Sequence, residues 1–235
     1  MATLLALINC HSRPGYANAQ RETWIPKIPQ GLDYKFFLGP SDRAPRPDEV
    51  FLNCRDDYGG LPNKVQEVVR WTLEHGYENM AKIDDDVILK PAEFLSSGFQ
   101  QHDFVGHTNN DRSVVKIPWG FLYTLSRKAM ENMAISELPR DFNDEAWCAN
   151  TLAYHGILLH HEPRYVLHRG KRSDFIVPTK RPLRAPKPRF DLNYLDVTDP
   201  SNGIAYCVFL HWLGYHATPD DVNIREYYKL FKETQ

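Results

Sequence analysis

Several things are scarce in this sequence, and each scarcity closes off a class of protein. Its 235 residues include four cysteines, Cys10, Cys54, Cys148 and Cys207, far apart and with no Cys-x-x-Cys pair. That spacing argues against zinc ribbons and disulfide-dense scaffolds and favours reduced thiols, leaving room for one or two bridges. Long apolar runs are missing too. Residues 3–8 form a short apolar run with no basic segment before it, too short for a signal peptide or a membrane anchor. No later stretch is long enough to span a bilayer. Net charge is also small, at −2, so nothing global demands a polyanionic partner.

What the chain does contain is core-building material. Hydrophobic residues make up 42% and aromatics 12%, a composition that folds rather than staying disordered. The length suits a single domain, residues 1–235, without internal repeats. Residues 3–8 are a continuous apolar run, which predicts a strand buried on both faces, as in parallel sheets. Further strands are expected at 34–38, 50–53, 80–83, 103–106, 119–125, 157–159, 165–167 and 204–210. Residues 61–75 predict the clearest helix, with Pro62 in its first turn and Gly76 stopping it. Other helices are expected at 91–97, 127–133 and 143–155. A terminal helix is expected from about 218 to 231, opened by a Thr-x-x-Asp arrangement close to a capping box. Alternating strands and helices predict an α/β fold with a mostly parallel, twisted sheet flanked by helices, whose ligands gather beyond the strand C-termini.

The chain is organised around Asp84, Asp85 and Asp86, which follow the buried strand at 80–83 and precede Val87, Ile88 and Leu89 as its apolar continuation. Three anions at the end of a core strand repel one another and lose hydration. A divalent cation removes that cost. Carboxylates so placed can hold Mn²⁺ or Mg²⁺ through hard oxygens and leave positions open for phosphate and water. The bland alternative is a solvated acidic turn.

Three segments now line up in order. They are Arg21-Glu22-Thr23-Trp24, then Asp56-Asp57-Tyr58-Gly59-Gly60-Leu61-Pro62-Asn63-Lys64, then Lys82-Ile83-Asp84-Asp85-Asp86-Val87. Together they resemble the β-1,3-galactosyltransferase and N-acetylglucosaminyltransferase superfamily that includes Fringe, in pieces between residues 8 and 156. The resemblance implies a GT-A fold (Rossmann-like), a UDP-sugar donor, a divalent metal and inversion at the anomeric carbon. It implies that Asp86 ligates the metal, that Asp84 lies near ribose and metal, and that Asp85 sits between them. It also places Arg21 on the nucleotide with Trp24 packed beneath it, and Asp56, Tyr58 and Lys64 where the donor is met. A surface arginine, a core tryptophan and an ordinary helix-face lysine are the plainer alternatives.

The same resemblance assigns the catalytic base to the acidic pair Asp144–Glu145. Counting back from Gly156 selects Glu145, whereas residue character also allows Asp144. An inverting transfer needs such a carboxylate to deprotonate the acceptor hydroxyl. Both acids also suit the first turn of a helix on dipole grounds alone. Gly120, Tyr123 and Ser126 resemble a segment beside the donor sugar, with Leu122 standing where the family has a second glycine. A late histidine completes the family's metal site, and His216 holds that position, with His211 and then His168 as alternatives.

Residues 169–190 differ from the rest. They carry Arg169, Lys171, Arg172, Lys180, Arg181, Arg184, Lys187 and Arg189 against one acid, Asp174, with prolines interleaved. This predicts a basic loop that either folds over the diphosphate or grips a polyanionic acceptor, such as DNA bearing hydroxymethylated bases. A solvated loop without a partner is the alternative. Golgi relatives carry an N-terminal anchor, so a chain starting at its first strand is expected to be either trimmed or cytoplasmic, as in a bacterium or phage. The function expected is metal-dependent transfer of a sugar from a UDP-sugar to an acceptor hydroxyl on a glycan or a modified base. A non-catalytic nucleotide-sugar or nucleic-acid binding protein on the same scaffold is the competing expectation.

Overall fold

An apolar run such as residues 3–8 has no polar face to offer water, and it folds accordingly. In the computed structural model, which describes residues 2–108, 114–139, 143–166, 203–207, 224, 225 and 228, this run is strand β1 (Thr3–Ile8), buried along its whole length. Its side chains alternate between two cores. Leu5 and Leu7 enter one, while Leu4, Ala6 and Ile8 enter the other, so the sheet separates two apolar layers.

Helix α1 (Pro14–Glu22) crosses to β2 (Leu32–Leu38), and β3 (Glu49–Phe51) follows beside it. Helix α2 (Leu61–Glu74) starts with Pro62 in its first turn, as expected, and returns the chain to β4 (Asn79–Asp84) on the far side of β1. Strands β1 to β4 are all parallel. Beyond β4 come the antiparallel β7 (Leu122–Ser126), then β6 (Phe104–Gly106) and β8 (His160–His161). The order β3-β2-β1-β4-β7-β6-β8 therefore holds one reversed strand in an otherwise parallel sheet. Helix α1 lines one core; α2, α4 (Arg127–Ile135) and α5 (Asp144–Tyr154) line the other. The expected mostly parallel α/β architecture flanked by helices is what forms.

Two local expectations need correcting. Residues 87–89 do not continue β4. The chain turns at Asp85 and Asp86, and β5 (Val87–Leu89) joins a second sheet, antiparallel to β10 (Ala205–Cys207), which pairs in turn with β9 (Tyr165–Val166). The strand expected at 157–159 forms instead at His160–His161, because Ile157 is drawn into the core behind α5 and accepts no ladder partner there. Short helix α3 (Pro91–Leu95) follows β5. The terminal helix expected at 218–231 lies largely outside the described residues. Among the described residues no helix is long and apolar enough to cross a membrane.

This topology creates one special place. From β1 the chain winds outward through β2 and β3, then restarts on β1's other side with β4. Such a reversal opens a crevice beyond the strand C-termini, between the ends of β1 and β4. Ile8 and Asp84 are register partners at that rim.

Candidate active site

The acidic turn is built from below. Gln20 and Trp24 are both completely buried. Gln20 Nε2 donates to the carbonyls of Asp84 (3.1 Å) and Val87 (3.2 Å), and Trp24 Nε1 donates to Val87 O at 3.0 Å. Two side chains, one from α1 and one from the residues just after it, thus hold both ends of the turn that presents Asp84, Asp85 and Asp86. Trp24 is a core tryptophan, with a defined task under the carboxylates.

The three acids keep different company. Asp85 is buried and pairs with Arg13 Nη1 at 3.2 Å. Asp86 is partly exposed and contributes to the field that holds the Arg13 guanidinium protonated. Asp84 is partly exposed and meets the ammonium of Lys82 at 2.6 Å.

Lys82 is the residue that the sequence reading left without a role, yet it sits at the centre. It is 1% exposed on a strand whose neighbours are apolar. Its Nζ donates to Gly120 O, pairs with Asp84 and lies 3.7 Å from Asp144 Oδ2. Burial pushes its pKa down, but Asp144, Asp84 and Glu145 outweigh that and raise it, so the ammonium stays charged. A lysine on the inward side of an otherwise apolar central strand was the available signal, since such a charge is tolerated only when it is paired.

Asp144 and Glu145 open α5, whose N-cap Asn143 accepts from Ala146 N at 2.7 Å. The two acids diverge. Asp144 is 1% exposed; its Oδ2 accepts from Tyr123 OH at 3.2 Å, and its Oδ1 is buried with no hydrogen-bond partner among the described residues. Burial pushes its carboxyl up to about 7, with Lys82 opposing. Glu145 is partly exposed and lies over Gly120. Tyr58, 71% exposed, stands in the field of Glu145, Asp144 and Asp84. The structure therefore brings Asp84, Asp144, Glu145, Gly120 and Tyr58 to one rim, around Lys82.

Other expected site residues are occupied elsewhere. Asp56 accepts from the backbone N–H groups of His11 (2.7 Å) and Gly39 (2.6 Å) and from Lys64 Nζ, which also donates to Asn9 O. This latch ties together the loops leaving β1 and β2. Lys64 is 3% exposed and is no ordinary helix-face lysine. Arg21 donates to both oxygens of Asp48, to Glu49 and to Asn18, and it stacks on Phe36. It is no free surface arginine.

For a metal, Asp84 and Asp86 offer hard oxygens on either side of the turn. Four carboxylates (Asp84, Asp85, Asp86 and Glu145), beside an Asp144 whose carboxyl burial pushes up to about 7, face two cations there, Lys82 and Arg13. That surplus of negative charge fits a divalent cation. Among the described residues no three His, Cys, Asp or Glu side chains gather as a metal site. His216, His211, His168 and the basic segment 169–190 lie outside the described residues. Cys10, Cys54 and Cys148 are free thiols.

No protein-family model matches the chain, and no curated protein matches it. Solved structures do resemble it. A protein of Desulfovibrio desulfuricans G20 described as a nucleotide-diphospho-sugar transferase aligns at 9% identity and TM-score 0.46, over 69% of this chain and 80% of that one. A glycosyltransferase involved in glycosylating the major capsid of PBCV-1 aligns at 14% identity and TM-score 0.47, over 71% and 84%. A CMP:2-keto-3-deoxy-manno-octonic acid synthetase, complexed with CTP, aligns at 10% identity and TM-score 0.45, over 69% and 89%.

Proposed function

We propose that the chain is a nucleotide-sugar-dependent glycosyltransferase of GT-A type, using a UDP-sugar and inverting the anomeric carbon. One observation carries this reading. A partly exposed carboxylate on α5, Glu145, and the acidic end of β4 meet around buried Lys82 at the rim where β1 and β4 end. Crevices at such rims are where open α/β sheets bind ligands.

Asp84 and Asp86 would hold Mn²⁺ or Mg²⁺, with His216 as the further ligand implied by the family resemblance. Bound there, the ion would neutralise charge on the departing diphosphate. Glu145 is the base. It takes the proton of the acceptor hydroxyl while that oxygen bonds to C1 and the C1–O bond to the β-phosphate breaks, releasing UDP. Asp144 is closed off from the acceptor by its burial and acts from behind, through Lys82 and Tyr123. Tyr58 offers an exposed ring at the mouth for an apolar sugar face. The acceptor hydroxyl belongs to a glycan or to a hydroxymethylated base in DNA. The excess of Lys and Arg over acid in residues 169–190 supports the second option.

UDP release from UDP-glucose, UDP-galactose and UDP-N-acetylglucosamine, with Mn²⁺ and with EDTA, tests the reading. Release that disappears with EDTA is expected. Release indifferent to EDTA removes the metal role, and an absence of both UDP release and UDP binding removes the transferase. A mass shift on hydroxymethylated DNA, or its absence beside a shift on glycans, decides the acceptor.

A further inference from the structure

Glycine is usually retained where the backbone needs a positive φ, and Gly31, Gly76, Gly98 and Gly156 are of that kind. Gly120 is not. Its φ lies outside that region, so its backbone accepts any residue. What it lacks is room. A methyl there would lie 2.6 Å from Cδ and 2.8 Å from Cγ of Glu145 and closer still to Oε1, while no backbone atom is among its nearest neighbours. The space above Gly120 is filled by the one carboxylate of the pair that reaches solvent. From beneath, the Gly120 carbonyl is fixed by Lys82 Nζ, which is anchored in turn by Asp84 and sits beside Asp144.

We infer that Gly120 is a positioning residue, the seat that sets how far the Glu145 carboxylate stands above the rim. The inference rests on Glu145 being the base. Because the colliding atoms are the far end of a flexible side chain, a methyl at 120 displaces the carboxylate and leaves the fold intact. A displacement of about 1 Å at a reacting group costs on the order of 10²-fold in rate.

The test is a double-mutant cycle of Gly120→Ala and Glu145→Ala, read as donor KM, kcat and thermal midpoint. Gly120→Ala alone is expected to lower kcat by ~10²-fold, with donor KM within about twofold and the midpoint nearly unchanged. In the Glu145→Ala background the same change is expected to alter the residual rate less than about threefold, since no carboxylate remains to be moved. Equal losses in both backgrounds, or full activity in Gly120→Ala, overturn the seat. So does failure of the double variant to fold, because the collision would then lie elsewhere. Folding of the double variant when Gly120→Ala alone does not fold supports the contact directly. If Glu145→Ala keeps the parental kcat, the base assignment fails; full activity of Gly120→Ala beside an impaired Glu145→Ala overturns the seat alone.

Discussion

Two lysines lie buried at the same end of the sheet, and they keep different company. Lys64, from α2, meets one carboxylate, Asp56, and one carbonyl, and Asp56 is also satisfied by two backbone N–H groups. Charges balance and donors are matched, which is how a structural pair withstands burial. Lys82, from β4, sits among Asp84, Asp144 and Glu145, leaves Asp144 Oδ1 unpartnered among the described residues, and props the loop at Gly120. Its surroundings carry more negative charge than it can neutralise. The first arrangement fastens loops; the second stores an electrostatic surplus that a cationic or proton-donating ligand would relieve. Perturbed acids of the second kind mark functional sites more often than structural ones.

The sharpest way to break that contrast acts on turnover. Glu145→Gln keeps the size of the side chain and removes the proposed base. It is expected to lower kcat by roughly 10² to 10⁴-fold, while UDP affinity, measured by calorimetry, stays close to the parental value. Asp56→Asn is expected to act on stability instead, with turnover per folded molecule retained.

Stability separates the two lysines next. Lys82→Met leaves buried Asp144 without its cation, and removing one partner of a buried pair costs about 3–5 kcal/mol. Lys64→Met leaves Asp56 its two backbone donors and its partial exposure, so a loss of roughly 1.5–3 kcal/mol is expected. Urea midpoints with unchanged m-values measure both. Equal losses would show that the surplus around Lys82 has no energetic consequence.

The difference between these lysines also explains how much the sequence disclosed. Continuous apolar runs and punctuation are local properties, so β1 formed at its expected bounds and α2 to within one residue. The acids at 84–86 could be singled out because charge beside a core segment is conspicuous along the chain, whereas the pair at 144–145 came from the family resemblance. Lys82 stood in a quoted motif and still went unassigned. Its role depends on a carbonyl 38 residues away and an acid on α5, neither of which is a property of its neighbours in sequence. Arg21 and Lys64 were expected at the donor, with surface positions as the plainer alternatives, and their ion pairs went unforeseen for the same reason: those depend on partners at residues 48–49 and at residue 56. Turning at Asp85–Asp86 was equally hidden, since Val87 to Leu89 suit either sheet until Gln20 and Trp24 fix the turn.

A third charged setting, at the opposite flank, gives the contrast a pH axis. Glu49 is buried among Arg21, Arg43 and Arg46. Burial alone would raise its carboxyl, but hydrogen bonds from Arg43, the Arg46 backbone and Arg21 hold it at about 2, below the ordinary 4.5. With the folded value depressed, the stabilisation is complete above the unfolded value and is lost as pH falls through the folded one. Glu49→Gln is therefore expected to cost roughly 3 kcal/mol at neutral pH, and the gap to the parent should close between about pH 4.5 and pH 2. Unfolding free energies against pH check this. A gap that persists at pH 2 would assign the effect to packing rather than charge.

The smallest effect probes what holds the acidic turn still. Trp24→Phe keeps an aromatic ring in the core but removes the Nε1 donor to Val87 O, which Gln20 continues to serve. With one of two donors left, the carbonyl is not orphaned, so the loss should stay near ~1 kcal/mol instead of the larger penalty of an unsatisfied buried group. Gln20→Met removes donors to both Asp84 O and Val87 O and frees both ends of the turn. It should therefore weaken the proposed Mn²⁺ binding, followed by calorimetry, more than Trp24→Phe does at comparable stability. A ranking in the other order would mean that ring bulk beneath the turn, not the hydrogen bonds at its ends, keeps Asp84 and Asp86 in place.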